Sequence, residues 1–449
     1  MTEPRVLPRS EHTLSRKNID PEALKVLYRL KHGGAVVYLV GGGVRDLLLG
    51  RTPKDFDIST SAHPQQVKKL FRNCFVIGRR FRLCHVRFGN KVVEVSTFRR
   101  KAESEDGDPL IRHDNTFGTP EEDAFRRDFT VNALFYDIAT FSVIDYVGGL
   151  GDLERRVIRV IGDPNLRFRE DPVRMLRAIA LATRLGFTVD SETLDSIRAQ
   201  GAEILKSSPA RLLEEFYKIL RMGTARETFV RLHEVGLLAF LLPAAARALA
   251  RDGEALLGSL SRLDDYRNAQ VPATEALTNS ILMGSLLVPI GVPLKRDARG
   301  RERDRARRKE GVPASAVDDD IEAELEAAEE APTPGAAEPL TMPFARRDLD
   351  RLRLILFAQG RLRDAHASLG ARRLLASRHY FPEALTWLEI HGGLDGREVA
   401  QRWRQLESEP EPPAHVTDAA SAPEAPAAPR RRRRRRRRRR PVAAPEPTA

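Results

Sequence analysis

The sequence predicts an α+β head followed by a mainly helical region and a disordered basic C-terminus. Short apolar runs of strand character alternate with glycine turns and short helices over roughly the first 165 of the 449 residues. Beyond Asp163-Pro164, apolar residues recur at helical spacing and strand signals vanish. The chain ends in Pro/Ala-rich sequence interrupted by arginines 430–440, a composition typical of disorder.

The elements of the head follow from apolar spacing and turn residues. Apolar positions at helical spacing predict a helix over 22–31, which Gly33-Gly34 ends. A β-hairpin is predicted from Val76 to Phe98, with Gly89-Asn90 at its turn. The other predicted elements are, in chain order, a strand over Ala35–Val40, a short helix that follows three glycines and ends at Gly50, a strand around Asp55–Ser59 and a helix over Pro64–Phe71.

The excess of basic residues favours a polyanionic partner, and it is concentrated in the C-terminal tail. The formal net charge is +12 and the sequence pI is about 9.9. Arginines 430–440 supply all but one of these net charges, so the rest of the chain is nearly neutral. Such an arm is usually solvated, and it can bind RNA phosphates without sequence specificity. An acidic protein is the competing partner.

The cysteines, the histidines and the hydropathy argue against a disulfide-rich, a Cys/His metal-binding, a secreted or a membrane-spanning protein. Cys74 and Cys84 are too few for a disulfide framework and lack metal-ligand spacing, so we expect reduced core residues. His12, His85 and His379 also lack ligand spacing and are expected to be structural or surface residues. The N-terminus has no apolar signal region and no run of about 20 apolar residues occurs, so a cytoplasmic protein is expected.

A glycine-rich turn precedes the first helix of the head. In LVGGGVRDLLLG, a strand runs into glycines and then a helix, which leaves backbone N–H groups free for a phosphate. Gly42 and Gly43 permit close backbone approach, and Arg45 adds a positive fork that Asp46 can orient. The turn is neither a Walker loop nor GxGxxG. A purely structural turn is the alternative.

Two aspartates follow about ten residues later. On a strand, Asp55 and Asp57 point the same way because side chains alternate between faces. Neighbouring carboxylates repel unless a cation lies between them, and Mg²⁺ takes carboxylates plus substrate phosphate oxygens. In a two-metal scheme, one ion activates the attacking hydroxyl and the other neutralises the leaving group. Glu94 is a candidate third acid if a neighbouring strand brings it close. A solvated polar strand face is the alternative.

Two further polar segments could bind a nucleotide. Arg126, Asp128 and Asn132 lie in RRDFTVNAL and could bind triphosphate and ribose hydroxyls. In EDPVR, Asp171 is a suitable helix N-cap before Pro172, so capping alone could explain it. However, Arg174 and Arg177 lie one turn apart in the same helix. An aspartate acceptor with an arginine donor can hydrogen-bond a purine edge.

Together these motifs resemble one family. GGxVRD, DFDI, RRDFTxNAL and EDPVRMLRA, in this order, are similar to the class II tRNA CCA-adding enzyme and bacterial poly(A) polymerase family, over about residues 9–235. The segment Val76–Val86 resembles the poly(A) polymerase branch, since CCA-adding enzymes usually carry a Gly-x-x-His-Gly-Thr type segment there. The opening from Ser10, the late segment from Arg378 and the arginine-rich C-terminus also resemble that branch. Residues 236–345 depart from the family pattern.

The resemblance implies a role for each candidate. Asp55 and Asp57 would ligate two Mg²⁺ ions with Glu94, and Asp128 would be an essential acid that contacts ribose, with Asn132 nearby. Gly42, Gly43 and Arg45 would hold triphosphate. The further nucleotide-binding candidates are Arg126 and the base-reading residues Asp171, Arg174 and Arg177.

The resemblance also implies a fold and a domain order. The fold is a polymerase-β-like nucleotidyltransferase head followed by all-helical neck, body and tail domains. The expected segments are an N-terminal extension and helix (1–30), the catalytic head (31–165), a helical neck that recognises RNA and base (166–235), a helical body (236–294), a charged low-complexity insert (295–340), a helical C-terminal region (341–405) and a disordered tail rich in Pro, Ala and Arg (406–449).

The implied activity is template-independent addition of AMP from ATP to RNA 3′ ends, that is, polyadenylation that promotes RNA turnover. RNA-decay machinery or an RNA chaperone is then a candidate partner. Two alternatives stay open: CCA addition to tRNA, and a non-catalytic RNA-binding protein on the same scaffold. The clustered acids argue against the second alternative, because acids repel RNA.

Overall fold

The N-terminal part of the chain is built on one mixed sheet. The computed structural model describes residues 3–78, 82–100, 117–269, 277–292 and 344–408. The strands of this sheet are β1 (Arg5–Leu7), β2 (Val37–Val40), β3 (Asp57–Thr60), β4 (Cys74–Ile77), β5 (Leu83–Phe88), β6 (Lys91–Thr97), β7 (Leu134–Asp137) and β8 (Val143–Asp145). From edge to edge their order is β1-β8-β7-β2-β3-β6-β5-β4, with β3 and β6 parallel.

Short helices surround this sheet. They are α1 (Pro21–His32), α2 (Gly42–Leu48), α3 (Pro64–Leu70), α4 (Pro120–Arg126) and α5 (Gly149–Arg155). Helix α1 begins after Asp20, whose carboxylate accepts hydrogen bonds from the Glu22 and Ala23 backbone N–H groups at 2.9 and 3.2 Å. Its apolar stripe, which includes Leu27, is fully buried in the core shared with the sheet, so burial of apolar area fixes α1 in place.

The rest of the described chain is helical apart from one short parallel pair, β9 (Val157–Ile158) with β10 (Thr188–Val189). The helices are α6 (Pro164–Glu170), α7 (Val173–Leu185), α8 (Ser191–Gln200), α9 (Pro209–Arg221), α10 (Ala225–Glu234), α11 (Leu237–Leu241), α12 (Pro243–Arg251), α13 (Glu254–Ala269), α14 (Asn279–Leu287), α15 (Arg346–Arg363), α16 (Leu369–Ala376), α17 (Phe381–His391) and α18 (Gly393–Ser408). Residues up to Trp403 form one compact unit, and the chain from Arg404 belongs to a second.

The predicted α+β head, helical continuation and hairpin turn at Gly89-Asn90 are confirmed. Both cysteines are free and buried, as expected. Two predictions were wrong in detail. Strand β3 begins at Asp57, so Asp55 lies in the preceding loop, and β10 shows that strands do not end at Asp163.

Other predictions fall on parts of the chain that the structure does not describe. The 295–340 insert and the arginine run lie outside the described residues, as does part of Val76–Val86. Among the helices of the described ranges, none is both long and apolar enough to cross a membrane.

Candidate active site

The glycine turn between β2 and α2 closely approaches the acidic strand. Gly41 has a φ of +75°. A Cβ atom there would lie 3.3 Å from Arg127 Nη1 and 3.8 Å from Asp57 Oδ2, so glycine suits both the backbone angle and the space. Gly42 faces a cavity, whereas Gly43 is buried, with an added Cβ 3.3 Å from the Asp55 carbonyl oxygen. The structure therefore shows a close packing contact at Gly43, and its phosphate contact stays a prediction.

Asp57 stands at the start of β3, beside β6. Ile58 pairs with Val95 in these parallel strands, which brings Glu94 to the neighbouring register position of Asp57, as predicted. The Asp57 side chain is accessible to solvent. Many protein atoms nevertheless surround its carboxyl group, and this partial burial raises the pKa of Asp57 to about 6. Repulsion from Glu94 and Asp55 also raises this pKa, while Arg127 lowers it.

Asp55 does not share a strand with Asp57, although the sequence predicted that it would. It precedes the strand and is exposed, so strand alternation does not place the two carboxylates on one face. The two groups still interact electrostatically, because Asp55 contributes to the raised pKa of Asp57. The pair therefore consists of a loop residue beside a strand residue.

These acids fit a divalent cation chemically. Asp55, Asp57 and Glu94 repel one another, and a cation between them would relieve the repulsion recorded in the pKa of Asp57. In the parts of the chain that the structure describes, however, no three acid, histidine or cysteine side chains converge closely enough to hold an ion as they stand. The fit therefore requires the side chains to rotate inward around the ion.

Asp57 borders two cavities. The first has a volume of about 590 Å³, and ten of the residues that line it are Gly42, Arg45, Asp57, Arg126, Arg127, Asp128, Asn132, Asp171, Arg174 and Arg177. The second has a volume of about 760 Å³ and contains the other predicted acids, Asp55 and Glu94. The fold thus brings together all predicted site residues except Gly43 around one shared carboxylate.

Arg45 is held rigidly at the wall of the first cavity. Its Nε and Nη2 atoms donate to Asp46 Oδ1 at 2.8 and 2.6 Å, and Nη1 donates to Asn132 Oδ1. Arg184 donates to the other Asp46 oxygen at 2.8 Å. Asp46 therefore orients two guanidinium groups, and both face a cavity large enough for phosphates.

Asp128 is buried and ionised in the same cavity. Arg177 Nη2 lies 2.6 Å from its Oδ2 atom, while Asn132 Nδ2 and the Phe129 backbone N–H donate to Oδ1 at 3.2 and 2.8 Å. Burial raises the pKa of Asp128, but Arg177 and these hydrogen bonds outweigh burial and lower the pKa below its ordinary value. A fixed carboxylate of this kind can accept a hydrogen bond from a ribose hydroxyl.

Arg126 and Arg127 end helix α4 beside a buried acid, Asp123. Arg126 Nε lies 3.3 Å from Asp123 Oδ1, and Arg127 Nη2 lies 2.9 Å from Oδ2. Arg127 Nη2 also donates to Ser59 Oγ at 3.3 Å, and its guanidinium lies over the Phe135 ring. Arg127 is thus the cation of this pair that reaches toward Asp57.

Asp171 does not cap α7, so the structural alternative given for this residue is wrong. Helix α6 ends at this residue, Pro172 occupies the cap position of α7 and no side chain caps that helix. Instead Arg211 of α9 binds both Asp171 oxygens, at 2.9 and 3.1 Å. Arg174 donates to the Arg167 carbonyl at 2.9 Å and lies 3.5 Å from Glu170. Asp171 and Arg174 therefore have fixed positions on the cavity wall.

Sequence reasoning missed several residues of the first cavity. Gly41 and Arg127 stood inside recognised motifs, so their motif positions were a usable signal. Arg184, Arg211 and Lys218 carry no local signal, because α7 and α9 bring them to the site from distant parts of the chain. His85 was expected to be a structural or surface residue, and its Nε2 atom lies 3.3 Å from Glu94 Oε1.

Comparison with known proteins identifies two segments. Residues 37–159 match the model of the poly A polymerase head domain, and residues 186–249 match the model described as the probable RNA and SrmB-binding site of polymerase A. The first match covers seven of the eight strands of the sheet and the acids Asp55, Asp57 and Glu94, and it confirms the predicted nucleotidyltransferase head.

Curated relatives fall in the two expected branches. Poly(A) polymerase I of Salmonella typhi is 49% identical over 261 residues, and that of Escherichia coli O157:H7 is 50% identical over 258 residues. A CCA-adding enzyme of Lactobacillus helveticus is 40% identical over 210 residues. The two poly(A) polymerase alignments each cover 56% of this chain and 56% of the relative, so the matched region spans little more than half of these relatives.

A solved structure extends the likeness in fold. The match to the Bacillus stearothermophilus CCA-adding enzyme in complex with CTP covers 86% of this chain and 82% of the enzyme chain. The TM-score is 0.58 and the sequence identity is 26%. The family resemblance expected from the four motifs is thereby confirmed, and the Salmonella typhi and Escherichia coli poly(A) polymerases are more similar to this chain in sequence than the Lactobacillus helveticus CCA-adding enzyme.

Proposed function

We propose that this chain, which resembles bacterial poly(A) polymerase I, adds AMP from ATP to RNA 3′ ends without a template. The observation that supports this most directly is the first cavity. It combines Asp57, several arginines and the ionised Asp128 with Asp171 and Arg174. These are the groups needed by a triphosphate, a ribose and a base.

Each polar group has a task in the proposed reaction. Arg45 and Arg184, fixed by Asp46, hold the triphosphate oxygens, and Asp128, fixed by Arg177, orients the ribose. Asp171, fixed by Arg211, and Arg174 present an acceptor and a donor to the adenine edge. Two Mg²⁺ ions, held by Asp55, Asp57 and Glu94, would supply charge neutralisation at the reacting phosphate. Catalysis then rests on positioning and preorganised charge.

CCA addition to tRNA is the second candidate, since CCA-adding enzymes are among the relatives and solved structures. Greater identity to the poly(A) polymerases favours the first candidate. A non-catalytic RNA-binding role is disfavoured by the acids around Asp57, because binding alone does not need them.

The decisive test is extension of a labelled RNA with Mg²⁺ and one nucleoside triphosphate at a time. We expect long tails from ATP alone and little product from CTP, GTP or UTP. A tRNA lacking its terminus serves as the matched second substrate. Its completion with CTP and ATP, followed by no growth, would replace the proposal by CCA addition, and no incorporation on either RNA would refute both enzymatic candidates.

Further proposals concern the location of the protein, its segments, its arginine tail and its partners. We infer a cytoplasmic protein that divides at the segment boundaries predicted from the sequence. Its arginine tail would assist RNA binding, and RNA-decay machinery or an RNA chaperone is a candidate partner. Deletion of residues 429–449 should weaken RNA affinity and flatten its salt dependence. An unchanged salt slope would refute the role of the tail.

A further inference from the structure

A third cavity, of about 470 Å³, lies next to the second cavity. The residues that line it are Arg9, Ser15, Arg16, Lys17, Leu24, Tyr28, Tyr136 and Phe141. Lys17 belongs to the walls of both cavities, and the second cavity contains Asp57. The third cavity is therefore a neighbour of the reacting centre, on the side formed by the N-terminal segment.

The third cavity combines cations with aromatic rings. Arg16 lies 4.4 Å over the Phe141 ring, and its Nη1 atom donates to the Tyr28 hydroxyl at 2.7 Å. Arg9, Arg16 and Lys17 are exposed, and no acid occurs among the described residues that line this cavity. Lys17 forms no ion pair with any described residue, so its charge is available to a ligand.

Phe141 is held in a costly backbone conformation. Its φ is +58°, a left-handed angle that is unfavourable for a bulky side chain. The His12 ring lies with Nε2 3.0 Å from the Phe141 carbonyl oxygen, which fixes the turn. Strain of this kind is retained where the surrounding structure requires it, and here it holds an aromatic ring against an arginine in an open cavity.

We propose that the third cavity binds a nucleotide of single-stranded RNA just upstream of the 3′ end, and that the 3′ end itself occupies the second cavity. This inference rests on the proposed function, because it assigns the RNA substrate of that reaction. Cations that follow the phosphates and rings that stack on bases are the two elements of sequence-tolerant single-strand binding. The second cavity then delivers the 3′ hydroxyl to Asp57, opposite the nucleotide in the first cavity.

An acidic protein segment would be the other ligand for exposed cations. The observations favour RNA because two partly exposed aromatic residues, Tyr28 and Phe141, accompany the cations, and carboxylates do not need ring faces.

The principal test uses Lys17→Glu in the full-length protein. Binding of a labelled ten-nucleotide oligo(A) RNA is measured by fluorescence anisotropy without ATP or Mg²⁺. We expect about tenfold weaker binding and a lower salt dependence, because a phosphate contact is lost. Lys69→Glu, an exposed charge reversal on α3 away from all three cavities, is the matched control and should bind as wild type.

A second variant tests the ring separately. Phe141→Gly removes the aromatic side chain while suiting the positive φ, so the backbone strain is relieved rather than increased. We expect oligo(A) affinity to fall by about tenfold through lost stacking, with a thermal transition that shows a folded protein. Wild-type RNA affinity in both variants would overturn the inference, as would competition by polyglutamate that equals competition by unlabelled oligo(A).

The outcomes separate this inference from the proposed function. If the protein adds no AMP to RNA but Lys17→Glu and Phe141→Gly still weaken RNA binding, the proposed activity fails and the RNA site stands. If the protein makes poly(A) tails while both variants bind RNA normally, the activity stands and the assigned site fails.

Discussion

Arg211 binds both carboxylate oxygens of Asp171, with Nη1 2.9 Å from Oδ1 and Nη2 3.1 Å from Oδ2. This paired contact joins α9 to the junction of α6 and α7, 40 residues earlier. An aspartate that is bound on its two oxygens keeps one orientation, so its remaining lone pairs can serve as a fixed acceptor for a base.

We therefore expect Arg211→Gln to reduce base selection. Because Asp171 would lose its bidentate partner, the preference for ATP over CTP, measured as the ratio of kcat/KM values, should fall about tenfold. Arg198→Gln is the matched control, since Arg198 is exposed and pairs with Asp195 on α8, outside the first cavity. An unchanged ratio in Arg211→Gln would exclude a role for this contact in base selection.

Asp57→Asn should abolish AMP incorporation and yet stabilise the metal-free fold at neutral pH. Folding raises the pKa of Asp57 to about 6, so the folded protein holds this proton more tightly than the unfolded chain. As the pH rises from about 4 to about 6, Asp57 ionises in the unfolded chain before it ionises in the folded protein, which destabilises the fold. A neutral asparagine at this position does not ionise and so avoids the destabilisation. Because the side chain is open to water, we expect a gain of about 1 kcal/mol in the free energy of unfolding at pH 7.5.

Denaturant unfolding in chelator measures this gain, which should vanish below pH 4 and shrink on addition of Mg²⁺ to the wild type. Asp195→Asn, an exposed aspartate on α8, is the control and should show no such pH dependence. Equal stability of wild type and Asp57→Asn at pH 7.5 would contradict the raised pKa. Substantial activity of Asp57→Asn at saturating Mg²⁺ would exclude its role as a metal ligand.

Arg177→Met should leave a buried charge without its closest partner. Asp128 has a pKa below its ordinary value in the folded protein, so its ionised form stabilises the fold above that range, and this contribution is lost as the pH falls. We expect a loss of about 3 kcal/mol at pH 7. The difference in the free energy of unfolding between wild type and Arg177→Met should become smaller in acid, where Asp128 takes up a proton. Urea unfolding at several pH values measures this difference.

The double variant Arg177→Met/Asp128→Asn provides the control for that experiment. It removes both charges, so it should recover part of the stability at pH 7 while staying inactive. If the double variant is no more stable than Arg177→Met, the pair does not stabilise the fold in the manner described.

Gly41→Ala should reduce activity far more than its effect on stability explains. The added methyl group meets a positive φ and lies 3.3 Å from Arg127 Nη1, next to Asp57. We expect at least a tenfold loss in kcat and a destabilisation of about 1 kcal/mol. Gly50→Ala isolates the backbone effect, because its φ is +69° and nothing lies within 4 Å. A similar loss of activity in both variants would mean that Gly41 acts only through stability.

Local sequence was sufficient for the features that depend on short-range rules. Strand character around Glu94 made it a candidate third acid on condition that a neighbouring strand brought it close, and the parallel pairing of β3 with β6 meets that condition. The glycine run predicted close approach to the backbone, which the structure shows at Gly41, beside Arg127 and Asp57, and at Gly43, beside the Asp55 carbonyl oxygen.

Long-range packing decided what sequence could not predict. The Arg184–Asp46 contact joins residues 138 positions apart, and no local pattern marks it. Asp171 had good capping chemistry, but α6 continues up to it and Arg211 takes its carboxylate, so tertiary contacts overrode the local preference. The start of β3 at Asp57 likewise follows from its partner strands, since β2 pairs with it from Asp57 onward.

Asp57 borders both the first and the second cavity. In the proposed reaction, a newly added residue would occupy the first cavity at the moment of bond formation. It would have to move past Asp57 into the second cavity before another ATP could enter. Elongation would therefore require a translocation of one nucleotide per cycle, and the balance between that movement and RNA release would set processivity.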